Sequence, residues 1–171
     1  LIAVEGYVDV IAMHRAGFTE AVAPLGTALT ENQLGLLWRT VPEPILCFDG
    51  DAAGLKAAYR ALDLALPLLA PGHSLRFAFL PEGKDPDDLL RAEGPDAVRA
   101  VIAAALPLAD VLWQRALAEN DRMSPERKAA FERDLKALAG GIRDDMVRRH
   151  YLDDLQQRFR TLWGQGRPAP G

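Results

Sequence analysis

The sequence predicts an α/β fold: a mainly parallel sheet flanked by helices, followed by an all-helical subdomain. Two observations carry this. Apolar, strand-like runs at residues 1–4, 21–24, 45–48 and 75–80 alternate with helix-like text. Beyond about residue 94 the strand signals stop and only helical periodicity remains. The expected organisation is a first domain over 1–93, a helical subdomain over 94–163 and a linker-like Gly/Pro tail over 164–171.

Residues 1–4, Leu-Ile-Ala-Val, read as a strand entered midway, with neither Met nor a basic leader ahead of it. The chain is therefore expected to be a segment of a longer protein. Helical text at 7–17 stops at Gly17. After the short run at 21–24 comes a turn, and Thr30 with Gln33 has the spacing of a capping box for a helix over 31–39. The run 45–48, with Cys47 inside it, leads into a helix over 52–69, and the run 75–80 leads into one over 87–93. Gly72 and Gly94 stand where helices or turns end. Helices then follow at 95–105, 108–118, 124–138 and 144–163. Ser124-Pro125-Glu126 supplies a cap, a proline at the first helical position and an acid in the first turn. Phe131, Leu135 and Leu138 recur at helical spacing, and Trp38, Trp113 and Trp163, each in amphipathic helical text, are expected to pack in the core or between helices. Core packing is also expected of Tyr7, Tyr59 and Tyr151.

The composition, 49% hydrophobic and 26% charged, supports a real core and excludes disorder throughout. One Cys among 171 residues excludes an internal disulfide and a multi-cysteine zinc site, and suits a reducing, cytoplasmic compartment. No apolar stretch approaches the roughly 18 residues of a membrane span. The net charge of −4 is unevenly placed: residues 1–109 hold 8 Lys/Arg against 14 Asp/Glu, and residues 110–163 hold 11 against 10. A chain whose whole task was to coat nucleic acid would be basic. Acid concentrated in the first half points instead to a bound cation.

Functional groups in open α/β sheets gather at the carboxyl ends of strands. Three of the predicted strand ends each offer two carboxylates: Glu5 and Asp9, Asp49 and Asp51, Asp85 and Asp87. Asp49 and Asp51, two apart, fall on one side of an extended segment, and Gly50 between them leaves room for a ligand to approach. Pro86 keeps Asp85 extended. Taken singly, a helix cap explains Asp51 or Asp87, and a solvated turn explains Glu5 or Asp9. Taken together that reading strains, because one cap per helix accounts for one acid at each place. Adjacent parallel strands bring the pairs close, and clustered carboxylates repel unless cations neutralise them. His14, His73 and His150 lie outside this set, so the donors are all oxygen. Such donors suit Mg²⁺ or Mn²⁺ rather than Zn²⁺, and the chemistry is phosphoryl or nucleotidyl transfer or phosphodiester cleavage.

A Glu-Gly after one strand and an Asp-x-Asp after a later one resemble the Toprim domain of primases, topoisomerases, recombination-repair proteins and some nucleases. Glu5-Gly-Tyr-Val-Asp9-Val, Pro24-Leu-Gly-Thr-Ala-Leu-Thr30, Phe48-Asp-Gly-Asp-Ala-Ala-Gly54 and Phe79-Leu-Pro-Glu-Gly-Lys-Asp-Pro-Asp87 resemble, in order, the catalytic core of DnaG-type bacterial replicative primases. The resemblance implies a Toprim-type sheet. It also implies synthesis of short RNA primers on a single-stranded DNA template from ribonucleoside triphosphates, with Mg²⁺ or Mn²⁺, in the cytoplasm. It makes Glu5 a general base or metal ligand, gives metal to Asp49 and Asp51, and lets Asp9, Asp85 and Asp87 complete the cluster. Gly26, Thr27, Lys56, Arg60 and Lys84 are candidate phosphate contacts, with a tight turn the rival reading for Gly26 and Thr27, and charge balance for the three cations. The family's zinc module and its preceding basic subdomain are not expected among these residues, nor is the replicative-helicase-binding domain, which is expected after a linker such as 164–171. Such a segment is expected to bind metal and to synthesise nothing alone. The alternatives are a Toprim nuclease and a non-catalytic interaction module.

Overall fold

A computed structural model describes residues 1–24, 28–118 and 124–163. It divides into two compact units, the first formed by Leu1–Ala65 and Gly72–Val111, the second by Leu66–Pro71 and the residues from Leu112 on.

The first unit is built on a five-stranded sheet. Its strands are β1 (Ile2–Ala3), β2 (Ala21–Val22), β3 (Ile45–Phe48), β4 (Arg76–Phe79) and β5 (Leu106–Pro107), in the order β2-β1-β3-β4-β5. The first four are parallel and β5 runs antiparallel beside β4. The helices are α1 (Tyr7–Arg15), α2 (Glu31–Thr40), α3 (Ala52–Ala65), α4 (Pro86–Glu93), α5 (Pro95–Ala103) and the start of α6 (Leu108–Ala118). Leu46, Cys47 and Phe48 on β3 and Phe77 and Ala78 on β4 are all buried, as a sheet covered on both faces requires. On one face Ile2, Val4, Cys47 and Ala78 meet Met13, Leu89 and Val98 from α1, α4 and α5. Alternate strand positions face the other way, where α3 packs on β3 with Ala58 and Leu62 inward.

The helix starts follow their side chains. The Gln33 amide N–H donates to Thr30 Oγ1 at 3.3 Å and the Thr30 N–H donates to Gln33 Oε1 at 2.9 Å, closing the expected capping box. Trp38 packs as expected: its Nε1–H donates to the Ser74 carbonyl at 2.8 Å and its ring stacks on His73. Gly94, at φ +84°, turns the chain between α4 and α5 in a conformation that other residues rarely adopt.

Two expectations are corrected here. A strand does follow residue 94: β5 pairs Leu106 with Phe77 and Pro107 with Arg76. The strand is two residues long, one a proline without an N–H, inside an alanine-rich apolar run that reads as helix. The first compact unit consequently continues to Val111, past the boundary expected at residue 93. Tyr7 is not in the core: it is 66% exposed, because it opens α1 beyond the end of its strand.

In the second unit, α7 (Pro125–Gly140) packs against α8 (Asp145–Trp163). Ser124 caps α7 by accepting from the Arg127 N–H at 3.4 Å, and Asp144 accepts from the Val147 N–H at 2.9 Å ahead of α8. Phe131 is fully buried between Trp113 and Trp163, with ring centroids at 5.7 and 5.3 Å. The expected tail, 164–171, lies outside the described residues.

Candidate functional site

Glu5, Asp49 and Asp85 follow β1, β3 and β4, which are parallel and adjacent, so their carboxyl ends open at one edge of the sheet. Main-chain groups fix the three ends to one another. The Asp49 N–H donates to Glu5 Oε1 at 3.1 Å, joining the first two. The Gly50 N–H donates to the Lys84 carbonyl at 3.0 Å and the Gly83 N–H donates to the Gly50 carbonyl at 2.7 Å, joining the second to the third.

This corrects the role expected of Gly50. A Cβ there would stand 1.9 Å from the Pro81 carbonyl oxygen and 2.7 Å from that of Leu80. The missing side chain makes room for the protein's own backbone rather than for a ligand. Gly54 is required in the same way: its Cβ would stand 2.2 Å from the Asp49 carbonyl oxygen. The loop 49–51 is thus wedged between α3 and the loop that carries Asp85.

Each carboxylate has an identifiable place. Asp9 is buried, and its Oδ2 accepts the Gly6 N–H at 2.9 Å at the start of α1. Asp51 is exposed and its Oδ1 accepts the Gly54 N–H at 2.7 Å, the capping role weighed for it above. At the third end the cap is Asp85, whose Oδ1 accepts the Asp88 N–H at 2.7 Å, and not Asp87. Asp87 instead holds Arg91 one turn along α4 and lies 3.8 Å from Arg15 Nη1 of α1.

The six charges are felt together. Burial, and then the charges of Glu5, Asp9, Asp85 and Asp51, push the Asp49 carboxyl up to about 7. Burial chiefly raises Asp9 as well. The Gly6 hydrogen bond opposes this, and Asp85, Glu5 and Asp87 add to it. Cys47, directly behind the site, is raised to about 12 by burial and then by Asp49, Asp9 and Glu5, which makes it an inert core thiol. The three strand ends are thus joined at one edge of the sheet. Among the described residues, however, no three His, Cys, Asp or Glu side chains are arranged to enclose an ion. The donor set fits an ion held by one or two carboxylates, with water and phosphate oxygens in its other positions.

The expected phosphate contacts fare unevenly. Lys84 forms an ion pair with Glu93. Lys56 is exposed on α3. Arg60 shares with Glu5 a cavity of about 270 Å³ whose walls include Leu29, Leu46 and Phe48. Gly26 and Thr27 lie outside the described residues. Arg15 and Arg91 went unremarked in the sequence, although the four-residue spacing of Asp87 and Arg91 was visible there.

Comparison with known proteins gives consistent results. Residues 1–79 match the family model described as the Toprim domain, and residues 109–162 match that of the DnaB-helicase binding domain of primase. The second match falls ahead of the 164–171 tail, the linker after which a helicase-binding domain is expected. A Rickettsia bellii DNA primase is 45% identical over 150 residues, covering 88% of this chain and 25% of the relative. A Pseudomonas aeruginosa DNA primase is 52% identical over 130 residues, covering 75% and 20%. The fold is similar to a crystal structure of a DNA primase domain from P. aeruginosa, with TM-score 0.83, 45% identity, and 96% of this chain and 50% of that one covered. It is similar also to the E. coli primase catalytic core, with TM-score 0.82, 38% identity, and 93% and 51% covered. The chain spans about a quarter of the length of these curated relatives and about half of the solved chains.

Proposed function

This chain belongs to the DnaG-type DNA primase family, and on that premise we propose that it is the metal-binding catalytic part of a DNA-directed RNA polymerase that makes short primers. Its substrates are ribonucleoside triphosphates and a single-stranded DNA template, in the cytoplasm, where the primers start DNA replication. Support for the template comes from a relative of similar fold, the DnaG primase catalytic domain solved bound to ssDNA, with TM-score 0.81 and 38% identity.

The single observation that carries the reading is the joining of three parallel strand ends, through the Asp49 N–H to Glu5 and through the Gly50–Lys84 and Gly83–Gly50 bonds, which sets Glu5, Asp49 and Asp85 at one edge of the sheet. Glu5 and Asp49 would hold Mg²⁺ or Mn²⁺ in this reading, with Asp9, Asp51, Asp85 and Asp87 supplying the negative field around it. When bound, the metal activates an attacking hydroxyl and stabilises charge on phosphate oxygens. The protein's own part is positioning. Asp49 holds Glu5 Oε1 through its N–H, which leaves the second Glu5 oxygen to serve as ligand or proton acceptor. Gly50 keeps the third strand end beside the second. The segment 109–162 takes the replicative helicase as its partner, a reading supported by its family match.

Calorimetric titration of the chain with Mn²⁺ tests the site. Wild type binds, and Asp49→Asn and Glu5→Gln each weaken binding at least tenfold. A wild type that binds no Mn²⁺, or an Asp49→Asn that binds as well as wild type, leaves only a non-catalytic interaction module. Labelled DNA with the full-length protein then separates extension from cleavage.

A further inference from the structure

Asp87 gathers two cations from different helices. Arg15 Nη1 of α1 lies 3.8 Å from its Oδ1, and Arg91 of α4 pairs with its Oδ2. The carboxylate is 18% exposed, whereas the two arginine side chains are 62% and 67% exposed. Two guanidinium groups on one carboxylate leave a local excess of positive charge, in a half of the chain whose balance is otherwise acidic. Each guanidinium carries five N–H donors in a rigid fork, and one shared carboxylate engages only a few of them. Exposed ion pairs of this kind add little to stability, so holding α1 to α4 is a weak account of the arrangement. Its place is specific: Asp87 lies in the first turn of α4, two residues after Asp85, on the segment whose loop is hydrogen-bonded to Gly50, so the arginines it holds stand beside the third strand end.

We propose that Arg15 and Arg91, oriented by Asp87, form a phosphate-binding pair at the rim of the acidic pocket. The pair donates to the non-bridging oxygens of a nucleotide phosphate or of the nucleic-acid backbone. Asp87 is then a positioning residue for the two cations. A phosphate drawn to metal on one side is gripped from the other by a planar, bidentate donor. The inference deepens the metal reading above and rests on it for the location of the phosphate.

Fluorescence anisotropy tests it on the purified chain with Mg²⁺, using a labelled oligo(dT) and a labelled ATP analogue across a salt series. Arg15→Ala with Arg91→Ala is expected to weaken binding about tenfold and to lower the salt slope for DNA by about 1 to 2. Arg39→Ala, on the exposed side of α2, is expected to match wild type. Whichever ligand loses affinity identifies the source of the phosphate, and a loss of both means a shared subsite. Should the double variant unfold, Arg91→Gln alone carries the test, since that side chain is mostly exposed. A variant with wild-type affinity and slope for both ligands overturns the proposal, and so does a wild type that binds neither. Mn²⁺ titration of the same variant separates the two readings. Intact metal binding with unchanged phosphate affinity sinks the arginine pair alone. Absent metal binding with arginine-dependent DNA binding in EDTA sinks the metal site alone.

Discussion

Replacing Gly50 by alanine puts a methyl group where the Leu80–Pro81 backbone already lies. The new Cβ stands 1.9 Å from the Pro81 carbonyl oxygen, 2.5 Å from its carbon and 2.7 Å from the Leu80 oxygen. A relaxed carbon–oxygen contact needs about 3.4 Å, so the loop must retreat by roughly 1.5 Å. The Gly50 N–H to Lys84 carbonyl bond, 3.0 Å, and the Gly83 N–H to Gly50 carbonyl bond, 2.7 Å, do not survive that retreat. Two lost hydrogen bonds cost about 1 kcal/mol each. Residual overpacking adds about 1 to 3 kcal/mol. The expected destabilisation is about 3 to 5 kcal/mol, a large share of the roughly 5 to 15 kcal/mol that holds a domain together. Urea unfolding followed by circular dichroism measures it, with Gly35→Ala as reference because nothing lies within 4 Å of a Cβ there. Mn²⁺ affinity should fall as well, since the retreating loop takes Asp85 away from Asp49. A Gly50→Ala midpoint corresponding to less than about 1 kcal/mol at unchanged urea slope would refute the reasoning.

Gly35→Ala itself should stabilise the chain by about 0.5 to 1 kcal/mol, read from the same urea curves, because a mid-helix glycine gains helix propensity without a clash. Asp49 makes stability depend on pH. Its folded value is raised, so its contribution is complete below about pH 4 and is lost as pH climbs through 7. The half-buried group is screened, which leaves an effect on the order of 1 kcal/mol. The metal-free chain should therefore melt lower at pH 8 than at pH 5, Asp49→Asn should flatten that difference, and Mn²⁺ at pH 8 should restore it in wild type only. Phe131→Ala, at a fully buried ring, should cost about 3 to 5 kcal/mol and shift the emission of Trp113 and Trp163.

The paired acids were legible because parallel strands deliver their carboxyl ends to one edge, and the spacing of Glu5, Asp49 and Asp85 shows on the page. The Thr30–Gln33 capping box was legible because it is local. What escaped was non-local. Gly50 looks like an opening for a ligand until Pro81, far along the chain, is seen lying against it. Asp85 and Asp87 are equally plausible caps by spacing, and only the bond to the Asp88 N–H distinguishes them. β5 is too short and too proline-bound to announce itself. The helical half carries amphipathic spacing but no chemical motif, so its kinship to a helicase-binding domain lay beyond pattern reading.

The links among the strand ends run through peptide groups and a single side-chain oxygen, which separates shape from charge. Glu5→Gln keeps Oε1 as acceptor, and Asp49→Asn leaves its own amide in place. An undistorted frame stripped of two of its charges is therefore within reach of two isosteric changes, a control in which any lost binding traces to charge and not to folding.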